Sequence, residues 1–555
     1  MMPTRGTAFS ALLVLAGAVS LLSGQEPPSV FQDAIEVRVV NVEAVVTDRS
    51  GERVHGLGRE SFSLTVDGVE VPIGFFSEIR DGAAMGDTRD LPLGLGIEAG
   101  KDARIPTHYL VFVDDFFSVK AQRNAVLKRL AEQLGTLGPG DEMAILAFDG
   151  RRLEVLSEWT ADRARSRAAL VAALHRKAGG VWRRVERLSF LARLPDQSLT
   201  LEPQGFGIGE DRLPLSLLAN RRAELREQVK AVVTAAATGM RGLTAPEGRR
   251  AMLLLSGGWP LESSGLDRGE TALFGTLEAR GDGLDLLRYQ GGFDPYSPLA
   301  DTANHLGFTL YPVDVAGLSW DGPGADSEAV GAGFEGSQRG EEAVLLQLAR
   351  QTGGRALLNN LRGRALEKAT ADTRSYYWIG FSAQARADDR RHRVRLEVLE
   401  PGLEVRSRRE FVDLSRFSET KMLVEGGLLL SGGEQRSELS VELGEPRRVA
   451  RRQMELPLII GIPARRITML PIGGQLVASL EISLGVRDKR NTLSDVLTLP
   501  VQLATPLFAP IYPEENRVVY YELDATVWRE RHDLVVTVRD VPTGGVLSTR
   551  IQINP

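Results

Sequence analysis

The 555-residue sequence contains no cysteine, which excludes disulfide stapling, thiol nucleophiles and a lipid-modified cysteine anchor. Histidine is scarce: the six, His55, His108, His175, His305, His392 and His532, are scattered, lack any His-Glu-x-x-His motif or clustered metal-ligand spacing, and read as surface or strand-edge residues. An excess of positive charge is also missing, since the net charge of -6 leaves no overall basic field for nucleic acid or anionic lipid. Arginine pairs such as Arg183-Arg184 and Arg390-Arg391 are balanced by neighbouring acids and read as solvated faces. No Gly-x-x-x-x-Gly-Lys-Ser/Thr cradle for phosphate is present, so Leu430-Ser-Gly-Gly-Glu-Gln435 reads as a hairpin turn rather than a nucleotide-binding signature. Without a Gly-x-Ser-x-Gly elbow the common acyl-transfer constellations lack a core, and the chain is expected not to be an enzyme.

What is present describes a folded, exported chain. Apolar residues make up 43% and charged residues 25%, the proportions of globular domains, and the length suits about three or four units. Met1 to Arg5 carries positive charge, Ala8 to Leu22 is apolar and small, and Ser20 and Gly24 offer cleavage points before Gln25. Residues 1–24 are therefore expected to be a signal peptide, with the mature protein periplasmic or at the cell exterior. No later stretch is long and uncharged enough to span a membrane.

The alternation of Val37, Val39, Val45 and Val46, then Phe62, Leu64, Val66 and Val69, broken at Asp48-Arg-Ser-Gly51 and Asp67-Gly68, predicts an N-terminal β-module over 35–80. Residues 81–106, rich in Gly and Asp, read as a linker. From Thr107 the rhythm changes. Tyr109 to Val113 is a continuous apolar run, as in a strand buried on both faces, and Ala121 to Leu137 has helical spacing ended by Gly138-Pro-Gly140. The order continues with strand Glu142 to Phe148, helices near 162–176 and 221–239, strand Ala251 to Leu255, helix Leu299 to Leu306, strand Phe308 to Val315 and helix 340–352. Two segments of little periodicity, 179–216 and 259–298, read as inserted loops. Strand signals return at 376–413, a β-hairpin extension, and fill 414–555, which reads as a C-terminal β-sandwich. The expected class is thus α/β, with a doubly wound central domain over 107–375 flanked by β-modules.

Several words in this order, Val45-Val-Thr-Asp-Arg-Ser-Gly51, Phe62-Ser-Leu-Thr-Val-Asp-Gly68, Leu110-Val-Phe-Val-Asp-Asp115, Gly140-Asp-Glu142, Leu253-Leu-Leu-Ser-Gly257, Leu310-Tyr-Pro-Val-Asp314, Leu348-Ala-Arg-Gln-Thr-Gly-Gly354 and Tyr376-Tyr-Trp-Ile-Gly-Phe381, resemble the von Willebrand factor A-related proteins of bacteria such as the Acidobacteria. The resemblance implies a von Willebrand factor A-like, Rossmann-like central domain. It also implies an ion-dependent adhesion site, where Asp-x-Ser-x-Ser at the end of the first strand, a loop threonine and a second aspartate hold a Mg²⁺-type ion open to a partner's carboxylate. Here Asp114 and Ser118 match, Phe116 stands where the first serine belongs, and Ser256 replaces the second aspartate. No threonine transfers: Gly179-Gly-Val181 fills the corresponding loop and Thr160 lies before the helix.

Asp114, Ser118 and Ser256 are therefore the metal candidates of a degenerate site, in which Mg²⁺ affinity falls with the lost charge unless Asp115 compensates. A plainer reading makes Asp114, Asp115 and Ser118 caps of the following helix. Partner contact then passes to the loops, with Trp182, Trp259 and Trp320 as anchors. The sequence thus leads to a non-catalytic protein-binding or scaffold protein without a resident cofactor. An ion-dependent adhesion protein using Asp114 and Ser118 is one alternative, and a hydrolase housed in the inserted loops is another.

Overall fold

A computed structural model describes residues 14–15, 37–85, 104–191, 215–243, 248–259, 296–315, 342–384, 387–430, 437–451, 453–472, 474–489, 493–506 and 517–554. The expected signal peptide, except for Val14–Leu15, and most of the linker lie outside these residues, as do 260–295 of the second inserted loop, Trp320 and the turn at 431–436. Val14–Leu15 forms a two-residue strand against Ala525 and Thr526. Among the described residues no helix is long and apolar enough to cross a membrane.

The all-apolar runs become the central sheet. Its strands lie in the order Phe308–Asp314, Arg249–Ser256, Thr107–Asp114, Glu142–Phe148 and Leu153–Thr160. The first four are parallel, and the last is antiparallel to its neighbour. Alternate side chains of each strand enter two different cores. Leu110 and Phe112 pack with Val232 and Ala236 of helix Leu215–Gly242 and Leu299 of helix Ser297–His305. Tyr109, Val111 and Val113 pack with Leu127 and Leu130 of helix Lys120–Glu132, Leu170 of helix Arg163–Leu174 and Leu366 of helix Ala365–Arg374. Burial on both faces explains why these strands read as unbroken apolar runs.

The α/β class expected from that pattern, a doubly wound domain carrying β-modules, does not describe this chain. Among the described residues strand outweighs helix, four of the five sheets are antiparallel throughout, and the fifth ends in the antiparallel Leu153–Thr160 edge. Continuous apolar runs announce strands buried on two faces, whereas the more numerous half-buried strands signal only weakly.

The segments 35–80 and 376–413 pair with each other. Tyr376–Gln384 lies between Val37–Thr47 and Phe75–Arg80, antiparallel to both, with Ile379 opposite Val42 and Phe76. Arg391–Val398 pairs with Phe62–Val66, and together these strands enclose Val42, Leu64, Tyr377, Ile379 and Leu396. Everything from Arg104 to Arg374 is thus inserted between two neighbouring strands, Phe75–Arg80 and Tyr376–Gln384.

A buried ion cluster fastens this unit to the central sheet. Arg249, at the start of its strand, pairs with Glu43 at 3.0 Å and lies 3.8 Å from the centre of the Tyr376 ring. Asp372, 4% exposed, is held by Arg53 and Arg406. Burial pushes the Asp372 carboxyl up, but the guanidinium groups of Arg406 and Arg53 outweigh it and hold its pKa below the usual range.

C-terminally, two antiparallel sheets share one core, with Leu456, Ile460 and Val527 facing Ile482, Leu484 and Val536. The expected run of strands from Leu414 is broken by helix Arg416–Leu429, capped by Ser415, whose hydroxyl accepts from Ser418 N at 3.2 Å. This helix packs Gly426 against Arg241 and Gly242, while Val424 and Leu428 meet Val535. It therefore wedges the C-terminal sheets against the central helices.

Candidate functional site

The parallel strands all point their carboxyl ends at one edge, and the strand Thr107–Asp114 delivers Asp114 there, fully buried. Its Oδ1 accepts from the amides of Phe116 at 3.0 Å and Phe117 at 3.1 Å. Its Oδ2 accepts from Ser256 Oγ at 2.6 Å and from the Trp259 indole N–H at 3.2 Å. Trp259 has no exposed surface and stacks on Tyr296, with ring centres 5.9 Å apart and planes 2° from parallel. Burial pushes the Asp114 carboxyl up to about 6, partly offset by the bonds from Ser256, Phe117, Trp259 and Phe116.

Asp115 turns the other way and is engaged by Arg123 and, at 2.6 Å, by Arg176 Nε. Burial raises its pKa, opposed by these two guanidinium groups. Ser118 is also fully buried, and its Oγ has no hydrogen-bond partner among the described residues. Over this loop sits Gly179-Gly180. Gly179 N donates to Asp115 O at 2.8 Å and Gly180 N to Ser118 O at 3.0 Å. A Cβ on Gly180 would stand 2.5 Å from both Phe117 O and Ser118 O, so the contact requires glycine.

The structure therefore joins Asp114 to Ser256 and places Ser118 in the same buried loop. Thr160 lies at the opposite end of the sheet, beside Met143, and its Oγ1 accepts from Asp162 N. The helix-capping reading is corrected: helix Lys120–Glu132 begins after Val119 with no side-chain cap, because Asp114 Oδ1 takes amides that precede the helix and Oδ2 takes Ser256 and Trp259. Sequence reasoning does not reach Arg123 or Arg176, the latter 61 residues from Asp115, and of the loop tryptophans Trp259 is buried against the site rather than presented. Trp182 is 66% exposed on helix Gly180–Leu191, which occupies the start of the first inserted segment.

A hard divalent ion needs several free anionic oxygens converging on one point. Asp114 has four donors on its two oxygens, and Asp115 is neutralised by two arginines. Only the Ser118 hydroxyl lacks a partner, and the neutral Ser256 donates to Asp114. This donor set does not fit a Mg²⁺-type ion. It makes the edge a closed, hydrogen-bonded knot.

Fold and site together define a predominantly β, multi-sheet protein with an inserted, mostly parallel sheet whose carboxyl-edge carboxylates, Asp114 and Asp115, are internally engaged. No family model and no curated protein matches the chain. Among solved structures it overlaps fragments of Bacteroides uniformis β-glucuronidase, with 14% identity over 21% of this chain and 13% of that one at a TM-score of 0.14. It overlaps B. uniformis β-glucuronidase 2 covalently bound to cyclophellitol-6-carboxylate aziridine with 12% identity over 32% and 19% of the two chains, TM-score 0.14. It also overlaps the structural-genomics target SoR45, with 15% identity over 22% and 86%, TM-score 0.13. The chain spans less than a fifth of the β-glucuronidases it overlaps, and at these TM-scores neither fold nor activity passes from them to it.

Proposed function

We propose that the chain is an exported, non-catalytic binding or scaffold protein, akin to the von Willebrand factor A-related proteins, that contacts another protein at the carboxyl edge of its central sheet without a metal ion. The observation carrying this reading is the pairing of a saturated acidic knot with an exposed apolar step beside it. Helix Gly180–Leu191 starts on the Asp115–Ser118 loop and exposes Val181 at 49%, Trp182 at 66% and Val185 at 45%. Arg183, from the same turn, covers Phe116 with its guanidinium 4.1 Å from the ring centre and so fixes the helix to the knot. A rigidly mounted, exposed tryptophan flanked by aliphatics has the chemistry of an interface anchor. Export rests on the N-terminal charge and apolar pattern.

The test immobilises the full chain and exposes it to the exported proteins of its source bacterium, with EDTA or with Mg²⁺ and Ca²⁺. The expected result is a partner retained in EDTA by the wild type and lost with Trp182→Ala. Absence of a Trp182-dependent partner would sink the proposal. Retention that requires divalent ions and Asp114 would replace it with the ion-dependent reading, which the unpartnered Ser118 hydroxyl favours.

A further inference from the structure

Away from the central sheet, Asp388, His392 and Asp413 each aim one ligand atom into a common space, all within 4.8 Å of one another. The three come from separate places: Asp388 from the loop entering strand Arg391–Val398, His392 from that strand, and Asp413 from just past strand Glu410–Val412, which pairs with it. His392 and Asp413 are 8% and 3% exposed. Ala387 and Asp389 of this loop both lie in the left-handed backbone region, at φ 47° and 57°.

The imidazole is oriented by a carboxylate on its far side. His392 Nδ1 lies 2.8 Å from Asp67 Oδ2, while Nε2 faces Asp388 Oδ1 at 3.3 Å. Asp67 occupies a hairpin turn at φ 52° and also accepts from Arg393 N at 2.9 Å, so it cannot swing away. The Phe411 ring stacks on the imidazole at 5.2 Å between centres. With Nδ1 fixed by one carboxylate, Nε2 is turned to the other, and an ion bound between Nε2 and Asp388 would displace the Nε2 proton, leaving the carboxylate–histidine arrangement that orients metal-bound histidines. Asp388 Oδ1 also accepts from Arg390 N and Asp413 Oδ2 from Ala387 N, contacts that position both carboxylates. Arg391, next to His392, pairs with Asp301 and Glu410.

The geometry points to a divalent transition-metal site, one nitrogen and two carboxylate oxygens from His392, Asp388 and Asp413, with Asp67 as a positioning residue. The mixed N/O donor set suits a Zn²⁺-type ion, and its one imidazole disfavours Mg²⁺ and Ca²⁺. Tetrahedral ligation with metal–ligand bonds of about 2.0–2.2 Å puts ligand atoms roughly 3.3–3.6 Å apart, so an ion would draw the cluster in by up to about 1.5 Å. Bound there, it ties the Asp67 hairpin turn, the 387–390 loop and the Asp413 strand end together.

The test is calorimetric titration of Zn²⁺ into the full chain after dialysis against chelator, with Mg²⁺ and Ca²⁺ in parallel. The expected result is one Zn²⁺ per chain, a weaker or absent Mg²⁺ and Ca²⁺ response, and a higher melting temperature with Zn²⁺. His392→Asn and Asp413→Asn should abolish the binding, and Asp67→Asn should weaken it about 10- to 100-fold. Asp114→Ala should leave it unchanged. A wild type that takes up no Zn²⁺, leaving a salt-bridged histidine only, overturns the proposal whether or not the variants fold. So does binding that survives His392→Asn in a protein with a wild-type melting profile.

Discussion

Asp372 is a buried carboxylate shared between two parts of the fold. One buried carboxylate receives Arg53 from the N-terminal strands and Arg406 from the returning ones, next to the fully buried Arg249. Asp372→Asn keeps the shape but leaves cations facing one another without an anion between them. Breaking a buried pair from one side costs about 3–5 kcal/mol. At about 2–4 °C per kcal/mol for domains of this size, the melting temperature should fall by roughly 6–20 °C in calorimetry at pH 7. The pH dependence has a definite sign. Because the folded-state pKa is depressed, the carboxylate's contribution is complete above the unfolded value of about 3.9 and is lost as pH falls through the folded value. The gap between wild type and variant should therefore stay constant from pH 5 to 8, within about 0.5 kcal/mol, and narrow in stronger acid. The exposed Arg364–Glu367 pair supplies the control, since Glu367→Gln should leave the melting temperature unchanged. A drop below about 2 °C for Asp372→Asn would refute the view that this cluster joins the two units.

Asp114 titrates with the opposite sign. Its pKa is pushed up to about 6, so the folded state holds its proton longer and stability falls as pH rises from about 4 to 6, by on the order of 2–3 kcal/mol. Urea melts of the wild type relative to Asp114→Asn should show that difference shrinking over this window and level above pH 7, and a flat difference would contradict it. Gly180→Ala should cost about 1–3 kcal/mol, because its new methyl meets two carbonyl oxygens at 2.5 Å, and an unchanged denaturation midpoint would mean the loops are not in contact. Trp259→Phe at pH 8 preserves the ring opposite Tyr296 but removes a donor to a charged carboxylate, with an expected loss of about 1.5–3 kcal/mol in the same assay.

The sequence made the central strands legible because burial on both faces leaves no polar residue to interrupt Tyr109 to Val113 or Ala251 to Leu255. It did not show that Val37–Thr47 would pair with Tyr376–Gln384, because period-two alternation identifies a strand but not its neighbour, here more than 300 residues away. Helix Arg416–Leu429 was hidden by Gly426-Gly427, residues that weaken helices locally and are tolerated because they let neighbouring backbone approach. At the site, Asp114 and Ser256 were readable from their positions at adjacent strand ends, and folding joins them at 2.6 Å. Asp67 and His392 are 325 residues apart, and although the Asp67-Gly68 turn is legible, nothing local announces its pairing with His392.

The insertion of residues 104–374 between adjacent strands also fixes where its two ends lie. Ile79 and Tyr376 face each other in an antiparallel ladder, so the chain leaves for the insert and returns from it at one place. Glu43, paired with Arg249, and Arg53 and Arg406, paired with Asp372, close that crossing. The central sheet is thus tethered at the edge where Thr107 and Arg249 begin their strands, and the Asp114 edge lies at the far end of those strands.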